Sequence, residues 1–419
     1  MQKLRLSFLF LILLVTACGT APRNKQFDPS KVAFMAEANP LFDNQLYPSI
    51  VLALNNTSSL SSQSTLPTDA VAQLFPFQVT LTSPHDNAVL RVVIDSSNLN
   101  YVTILQEILP RRGETYTFTP SVKWKYDQLR HLRQPRSLDL TFTCFIDDEE
   151  VDIKNLHLSV RTVNECPLSF RGEGNHIVDT RWLFAAYVNE DHPQIPNIVS
   201  DILDQGIVSR LSGYQSSARN AVSDQVFAVW YYTLNRGISY ASISCTSNPS
   251  PRANVQHIRF FDEVYSSRQA NCIDACVFLA SILRKIGLRP VIFVEPCHAY
   301  LGYYTDKKRS NIALLETTIT AWVNFPDLQR SLQPDGTLPQ SQLDNVSKYL
   351  TSKQLQDYEN GRLDFEGLKK AVARSLFEKA SVYNRETYEA NRKHFADSAA
   401  ITYQQLDIES LRALVQPIN

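Results

Sequence analysis

The stretch that decides the fold spans residues 271–287 and reads NCIDACVFLASILRKIG. It is largely apolar up to Arg284 and Lys285, and Gly287 follows. Basic residues in a last turn and a glycine just beyond are typical of the end of a helix. The stretch therefore predicts a buried helix that starts at Cys272. A thiol at that position lies beside free backbone N–H groups and the positive end of the helix dipole, which favour the thiolate, so Cys272 is a candidate nucleophile.

Three short apolar runs after this helix predict strands, over residues 290–294, 299–304 and 312–315. His298 stands directly before the second run and Glu316 directly after the third. On adjacent antiparallel strands, side chains across the ladder come within reach of one another. The order thiol, imidazole, carboxylate is the order of a nucleophile, its base and the group that orients the base. Cys272, His298 and Glu316 are therefore the candidate catalytic residues.

Upstream, between residues 76 and 163, apolar residues recur with a period of two, and polar turn clusters separate the runs. Many short strands with such punctuation predict an antiparallel β-sandwich, which we assign to residues 29–167. The clearest strand carries Leu138, Leu140, Phe142, Cys144 and Ile146, and weaker alternation is found at Leu156, Leu158 and Val160 and at Val122, Trp124 and Tyr126.

The pattern changes to helical near residue 168, so the domain that carries the candidate site is assigned to residues 168–335. Helices are predicted around residues 182–187, over residues 193–211, and from an N-cap at Ser223 to a stop at Gly237. Beyond them, residues 336–419 are polar and predict a helical C-terminal extension. Its clearest apolar repeat has four-residue spacing and consists of Leu368, Val372 and Leu376.

The N-terminus predicts export and a lipid anchor. Basic residues precede a short apolar run, which is typical of a secretory signal over residues 1–17. The sequence Val15-Thr16-Ala17-Cys18 resembles a bacterial lipobox, in which the cysteine is acylated, and residues 18–28 would form a tether. Gly19 favours the outer membrane if the cell is Gram-negative. The alternative is a soluble secreted protein with an incidental Cys18.

Composition narrows the class of partner. The chain has 419 residues with a formal net charge of −1, 44% hydrophobic and 20% charged residues. These values are ordinary for a chain with a sizeable core, and they give no electrostatic reason to expect nucleic acid. Besides Cys18, six cysteines remain, and their pairing cannot be read from the sequence. A working nucleophile at Cys272 would have to stay reduced.

The candidate site resembles that of the transglutaminase-like superfamily of papain-fold thiol enzymes. Those proteins place a Cys at the start of a buried helix, a His in a His-Ala-aromatic strand and an acid on the next strand. Here His298-Ala299-Tyr300 begins 26 residues after Cys272, and Glu316-Thr317-Thr318 begins 18 residues after His298. The resemblance covers about residues 220–325. The chain departs from the family pattern at three places: Ala270 for a common Gly, Tyr300 for a frequent Trp, and Glu-Thr-Thr for Asp-Pro-Thr.

This resemblance implies an α+β multidomain protein, with a transglutaminase-like or papain-like domain between the β-sandwich and the helical extension. It also implies that Cys272 attacks an amide or acyl carbonyl, that His298 serves as base and acid, and that Glu316 holds the imidazole. The thioester would pass to water or to an amine, with no cofactor or metal. The second oxyanion donor stays open among Trp230, Gln269 and others. The substrate would be a peptide or protein, with cell-wall peptide among the candidates.

Other interpretations compete with this one. Cys276, one turn below Cys272, is expected to be a small core residue, and Cys297 is expected on the opposite strand face from His298. Asp274 has the position of a first-turn helix acid. A zinc site from Cys272, Cys276, Cys297 and His298 has poor ligand spacing. A protein that keeps the fold without catalysis, as an envelope binding or scaffold protein, is the alternative function.

Overall fold

The structure is a computed structural model that describes residues 27–54, 71–216, 218, 220–242, 246–397 and 401–418, apart from the side chains of residues 246–249. The predicted signal sequence, Cys18 and Cys245 lie outside these ranges. The architecture is mixed, with helices and several separate sheets. None of the helices within the described ranges has the length and apolarity that a membrane span requires.

Two sheets form the N-terminal part. The first has the order β1-β3-β6 and is antiparallel, and the second has the order β2-β8-β7-β4-β5. Their strands are β1 (Phe34–Ala38), β2 (Gln45–Leu46), β3 (Phe77–Thr82), β4 (Ala88–Ile94), β5 (Thr103–Leu109), β6 (Thr115–Phe118), β7 (Arg136–Ile146) and β8 (Glu149–Val160). The short β2 runs parallel to β8. The prediction that all these strands are antiparallel is therefore wrong for this pair.

Alternation along β7 explains how the two sheets meet. Its predicted inward set, from Leu138 to Ile146, is at most 3% exposed, while the residues between point away from the interior. Phe142 on β7 packs edge-on against Phe77 of β3, with ring centroids 5.7 Å apart. Asp147 and Asp148 turn the chain into β8 with positive φ angles, as two-residue hairpin loops of type I′ require.

The prediction of a strand at Val122, Trp124 and Tyr126 is wrong. Trp124 makes only an isolated bridge to Asn100, and Tyr126 begins a short helix. The helices whose full bounds fall within the described residues of this part are α1 (Pro48–Ala53) and α2 (Tyr126–Arg130), together with 3₁₀ turns at Pro29–Lys31 and Pro40–Phe42.

The middle of the chain contributes a four-stranded sheet, a parallel strand pair and three helices. The strands are β9 (Glu165–Arg171), β10 (Ile177–Asp179), β11 (Ser239–Tyr240), β12 (Thr246–Ser250), β13 (Ala253–His257) and β14 (Gln269–Ala270). The sheet has the order β10-β9-β13-β12, and β11 pairs with β14. The helices are α3 (Ile195–Asp204), α4 (Ala221–Arg236) and α5 (Phe261–Ser267), with 3₁₀ helices at Glu173–Asn175 and Arg181–Tyr187.

Three helix predictions in this region need correction. The segment at Trp182 is a 3₁₀ helix, and the helix predicted over residues 193–211 spans only Ile195–Asp204. The helix predicted from Ser223 begins one turn earlier, after Asn220. Its end is as predicted, because Gly237 adopts the left-handed conformation (φ +75°) that a glycine C-cap provides.

The candidate site lies where helix α6 (Cys272–Lys285) meets a four-stranded antiparallel sheet of order β17-β16-β15-β18. The strands are β15 (Pro290–Glu295), β16 (His298–Tyr304), β17 (Ile312–Leu315) and β18 (Gln404–Asp407). The last strand comes from the C-terminal extension, where Leu406 pairs opposite Ile292. The prediction of a purely helical extension is therefore wrong, because the extension also supplies the last strand of the sheet at the site.

Six more helices of the described chain follow β17, and some of them cover the same sheet and α4. They are α7 (Phe325–Arg330), α8 (Gln340–Ser347), α9 (Ser352–Glu359), α10 (Phe365–Tyr383), α11 (Arg385–Ala396) and α12 (Ile408–Leu411), after a 3₁₀ helix at Thr317–Ala321. The predicted stripe of Leu368, Val372 and Leu376 on α10 is fully buried. Beside it, Phe377 packs edge-on against Phe227 of α4 at 5.5 Å.

Candidate active site

A double cap fixes where α6 begins. The Asn271 side chain accepts a hydrogen bond from the Asp274 amide (2.9 Å), and the Asp274 carboxylate accepts one from the Asn271 amide (3.1 Å). Asp274 is completely buried and also pairs with the Arg259 guanidinium at 2.8 Å. Burial raises the pKa of Asp274 despite these bonds. Its role is structural, since the cap sets Cys272 as the first residue of the helix.

Cys272 is half-buried and lines the same cavity as His298, and its interaction with the His298 ring is the largest cause of the raised pKa of that ring. As first-turn residues of a helix, Cys272 and Ile273 have amides without an intrahelical acceptor. The cap occupies only the amide of Asp274. Two N–H groups are thus left beside the sulfur, where an oxyanion would develop on an attacked carbonyl.

The His298 ring joins the thiol to a buried carboxylate. Its Nε2 lies 2.8 Å from Oε2 of Glu316, which is fully buried, whereas His298 is 26% exposed. Because Nε2 faces Glu316, the other ring nitrogen, Nδ1, is left for the thiol. The hydrogen bonds with Cys272 and then Glu316 raise the pKa of His298 to about 10. The imidazole is therefore held in its protonated form at neutral pH.

Glu316 is held by four donors. Its Oε1 accepts from the Thr318 amide (2.9 Å) and hydroxyl (2.7 Å), and its Oε2 accepts from His298 and from Nδ2 of Asn384 (2.6 Å). Burial alone would raise the pKa of Glu316, but the bonds from His298 and Thr318 outweigh it and lower that pKa. The carboxylate thus stays ionised and fixes the orientation of the ring.

Asn384 is a residue of the site that the sequence did not reveal. It lies between α10 and α11, 68 residues after Glu316, and is 5% exposed. No motif surrounds it, so only the packing of α10 on the site sheet brings it to the carboxylate. The Glu316 amide also donates to the Ala380 carbonyl of α10 at 2.9 Å, which ties the acid to the extension on both sides.

Cys272 and His298 line a cavity of about 550 Å³ between β9, β10 and β13 on one side and the β15–β16 hairpin on the other, while Glu316 lies buried behind the His298 ring. Its polar lining residues are Ser169, Asp179, Arg181, Tyr240, Asn254, Gln256, Asn271, Cys272, Glu295, Cys297 and His298. The cavity can admit part of a peptide, and it gives access to the thiol.

Tyr240 is the second residue that sequence reasoning missed. The parallel pairing of β11 with β14 sets it opposite Ala270, two residues before the thiol. Burial raises the pKa of its hydroxyl, and the charges of Cys272 and Glu316 add to that effect. Of the upstream donors left open, Trp230 is buried in the core against Phe377. Gln269 lines a neighbouring polar cleft and is absent from the lining of the site cavity.

The other cysteines of the described chain are unpaired thiols. Cys276 is fully buried, as expected of a core residue, and burial raises its pKa well above the ordinary value. Cys297 does not lie on a strand face as expected; it is an exposed turn residue with φ +61°. Within the described residues, no cluster of three or more His, Cys, Asp or Glu side chains is arranged as a metal site.

The other histidines with a contact in the structure make surface ion pairs, hydrogen bonds or ring contacts away from the candidate site. His157 pairs with Asp139 on the outside of the five-stranded sheet, and the His192 ring packs at a tilt of 34° against Phe261, with ring centroids 4.7 Å apart. Comparison of the sequence with protein-family models and with curated proteins finds no match in either set.

Proposed function

We propose that the protein is a thiol enzyme that cleaves or transfers acyl groups of peptides or proteins, with Cys272 as nucleophile, His298 as acid and base, and Glu316 as the orienting carboxylate. The observation that carries this proposal is the His298 ring, whose Nε2 lies 2.8 Å from the buried Glu316 carboxylate and whose pKa is raised first by its interaction with Cys272. Glu316 is buried and accepts hydrogen bonds from four donors, so it is placed to fix the orientation of the imidazole ring.

The proposed reaction has two halves. The Cys272 sulfur attacks the carbonyl carbon, and the oxyanion accepts hydrogen bonds from the first-turn amides of α6 and from the Tyr240 hydroxyl. The C–N bond breaks as His298 gives its proton to the departing amine, leaving a thioester. Water or another amine then loses a proton to His298 and attacks that thioester, which releases the acid or a new amide and restores the thiol.

We also propose that the part around the site has the transglutaminase-like fold. What supports this is a buried helix with its thiol at the start, packed on an antiparallel sheet in which one strand begins at His298 and the neighbouring strand ends one residue before Glu316. The C-terminal extension supplies β18, the strand next to β15 in this sheet. A crystal structure in which the sulfur lies far from the ring would contradict the proposal.

Location is a separate proposal, and it rests on the sequence alone: acylation of Cys18 would anchor the protein in the cell envelope, in the outer membrane of a Gram-negative cell. Several acyl groups on one cysteine anchor far more firmly than a single chain. In a bacterial host, wild type should partition with membranes while Cys18→Ser should not. Equal partitioning of the two would contradict the anchor.

Alkylation tests the catalytic proposal without a known substrate. Iodoacetamide at pH 7 should modify Cys272 at least about tenfold faster than the same peptide in denatured protein, because the thiolate is the reacting species. Peptide mass spectrometry separates Cys272 from the other thiols. Cys276→Ala is the matched control and should keep the rate, whereas His298→Ala should lose it. If native and denatured rates are equal, the fold serves binding without catalysis.

A further inference from the structure

The site cavity contains one acid with a carboxylate oxygen that has no hydrogen-bond donor. Two carboxylates lie among its described lining residues, Asp179 and Glu295. Asp179 is bound by the Arg181 guanidinium and by the Gln404 side chain at 2.6 Å. By contrast, Oε2 of Glu295 is shielded from solvent and has no hydrogen-bond donor. A desolvated carboxylate oxygen without a donor costs free energy, and a ligand that brings a donor would offset that cost.

A second unpartnered polar atom lies close to Glu295. The Tyr300 hydroxyl is fully buried and has no hydrogen-bond partner. Burial raises the pKa of Tyr300, and the charge of Glu295 adds most to that effect. The ring of Tyr300 stacks on Phe293 at 5.2 Å. Neither Tyr300 nor Phe293 lines the cavity, so they supply the buried aromatic surroundings of Glu295 and no positive charge, and Glu295 is the residue that would meet a cation there.

The strand register relates this acid to the catalytic histidine. Glu295 and His298 are direct partners across the β15–β16 hairpin, so their side chains lie on the same face of the sheet. In the proposed reaction His298 gives its proton to the departing amine. Glu295 therefore lies on the amine side of the bond that breaks. The charge of His298 attracts Glu295, but burial still raises the pKa of Glu295, and the Nε2 donor of His298 is used by Glu316 and not by Oε2 of Glu295.

We propose that Glu295 is a specificity residue that binds a cationic amino group on the amine half of the substrate, as a lysine-type residue after the scissile bond would supply. This inference rests on the proposed thiol chemistry and names its substrate class. The same site would receive the amine in acyl transfer, since the incoming amine retraces the path of the departing one.

Simple thioesters test the inference, because they keep one acyl group and vary only the charge of the leaving half. The probes are 2-(dimethylamino)ethyl thioacetate, which is cationic at neutral pH, its neutral isostere 3-methylbutyl thioacetate, and the anionic S-acetyl-3-mercaptopropionate. Thiol release is measured for each, the rate of a Cys272→Ala variant is subtracted, and the result is divided by the rate with free N-acetylcysteine.

The corrected cationic-to-neutral ratio should be about tenfold higher in wild type than in Glu295→Gln, as one charge pair in a partly buried site produces. The anionic probe should be the slowest in wild type. Glu107→Gln, which removes an exposed acid on β5, should keep the wild-type ratio.

Two results would overturn the inference by different routes. An equal ratio in wild type and Glu295→Gln refutes it while leaving the thiol chemistry intact, and this includes the case in which Glu295 acts only through His298 and slows all three probes alike. If the neutral thioester reacts with Cys272 no faster than with N-acetylcysteine, the proposed function fails, and the inference falls with it.

Discussion

Asn384 is the single side chain whose charge would most directly alter the ionisation of Glu316, the proposed orienting carboxylate. Its amide donates to Glu316 at 2.6 Å inside the protein. Asn384→Asp has the same shape but sets a second carboxylate against the first, and two such groups cannot both stay ionised. We expect thiol reactivity and acyl transfer to fall by roughly 10²-fold, the scale of a lost acid–base function. The measurement is the Cys272 alkylation rate across pH.

A matched control distinguishes this effect from a general helix defect. Asn391 lies on α11, where its amide donates to the Thr387 carbonyl on the exposed surface. Asn391→Asp should leave the alkylation rate within about twofold of wild type, because a surface charge change has little influence on a buried site. An Asn384→Asp variant as reactive as Asn391→Asp would remove Asn384 from the site.

The protonation of His298 gives a pH prediction with a definite sign. Its pKa is raised to about 10, first by the bond with Cys272 and then by the bond with Glu316. The ring should therefore stay protonated from pH 7 to 9 and lose its proton as pH rises through about 10. Acyl release should decline over the same alkaline range, because a neutral ring has no proton for the departing amine.

Imidazole NMR of the protein with isotope-labelled histidine measures this directly, and His298→Gln identifies the signal. Cys272→Ala should lower the pKa of His298, because it removes the largest cause of the shift, and Glu316 should keep it above the ordinary value of 6.5. A wild-type ring that titrates near 6.5 would contradict the bonded arrangement of thiol, imidazole and carboxylate.

At the scale of elements, β18 shows how far the site depends on distant sequence. Leu406 is 5% exposed and pairs opposite Ile292, in the strand that leads to Glu295. Leu406→Ala should lower the free energy of unfolding by about 2–4 kcal/mol, the range for a buried leucine. The measurement is chemical denaturation, with the exposed Val382→Ala as a control that should change it by less than about 0.5 kcal/mol. If the two substitutions lower the free energy of unfolding equally, Leu406 of β18 contributes nothing to the hydrophobic core.

Elements whose signal is local were predictable from the sequence. The alternation of β7 and the cap, apolar run and glycine of α6 each lie within one short stretch, and the structure has both elements. The sequence points to Cys272, His298 and Glu316 as candidates for the same reason. Cys272 begins a predicted helix, His298 directly precedes a predicted strand, and Glu316 directly follows one. Only the geometry of the folded chain brings their atoms together.

Elements that depend on distant partners were not predictable. Strand β18 is four residues long and becomes a strand because the open edge of β15 accepts it. Trp124 follows an alternating pattern, yet it makes only one bridge, to Asn100. Cys297 was placed on a strand, but the tight Glu295–His298 pairing leaves only a two-residue turn. In each case tertiary pairing, which no local pattern encodes, overrode propensity.

At the scale of the molecule, the C-terminus returns to the N-terminal part. The Gln416 amide donates to the Ala53 carbonyl at 3.0 Å, and the Arg130 guanidinium donates to the Ile418 carbonyl at 3.1 Å. One contiguous buried cluster includes residues from both regions, such as Phe142 of β7 and Val415 near the end. The N-terminal sheets and the site part should therefore unfold together.

Deletion of residues 412–419 tests this coupling. It removes three buried apolar side chains, Leu414, Val415 and Ile418, each worth about 1.5–3 kcal/mol of burial, so the unfolding temperature should fall markedly. Two buried thiols report on the two regions, Cys144 in the N-terminal sheet and Cys276 in α6. Both should become reactive to a thiol reagent at the same lowered temperature, because a shared core melts as one unit. If Cys144 keeps its wild-type protection while Cys276 loses it, the two regions are independent.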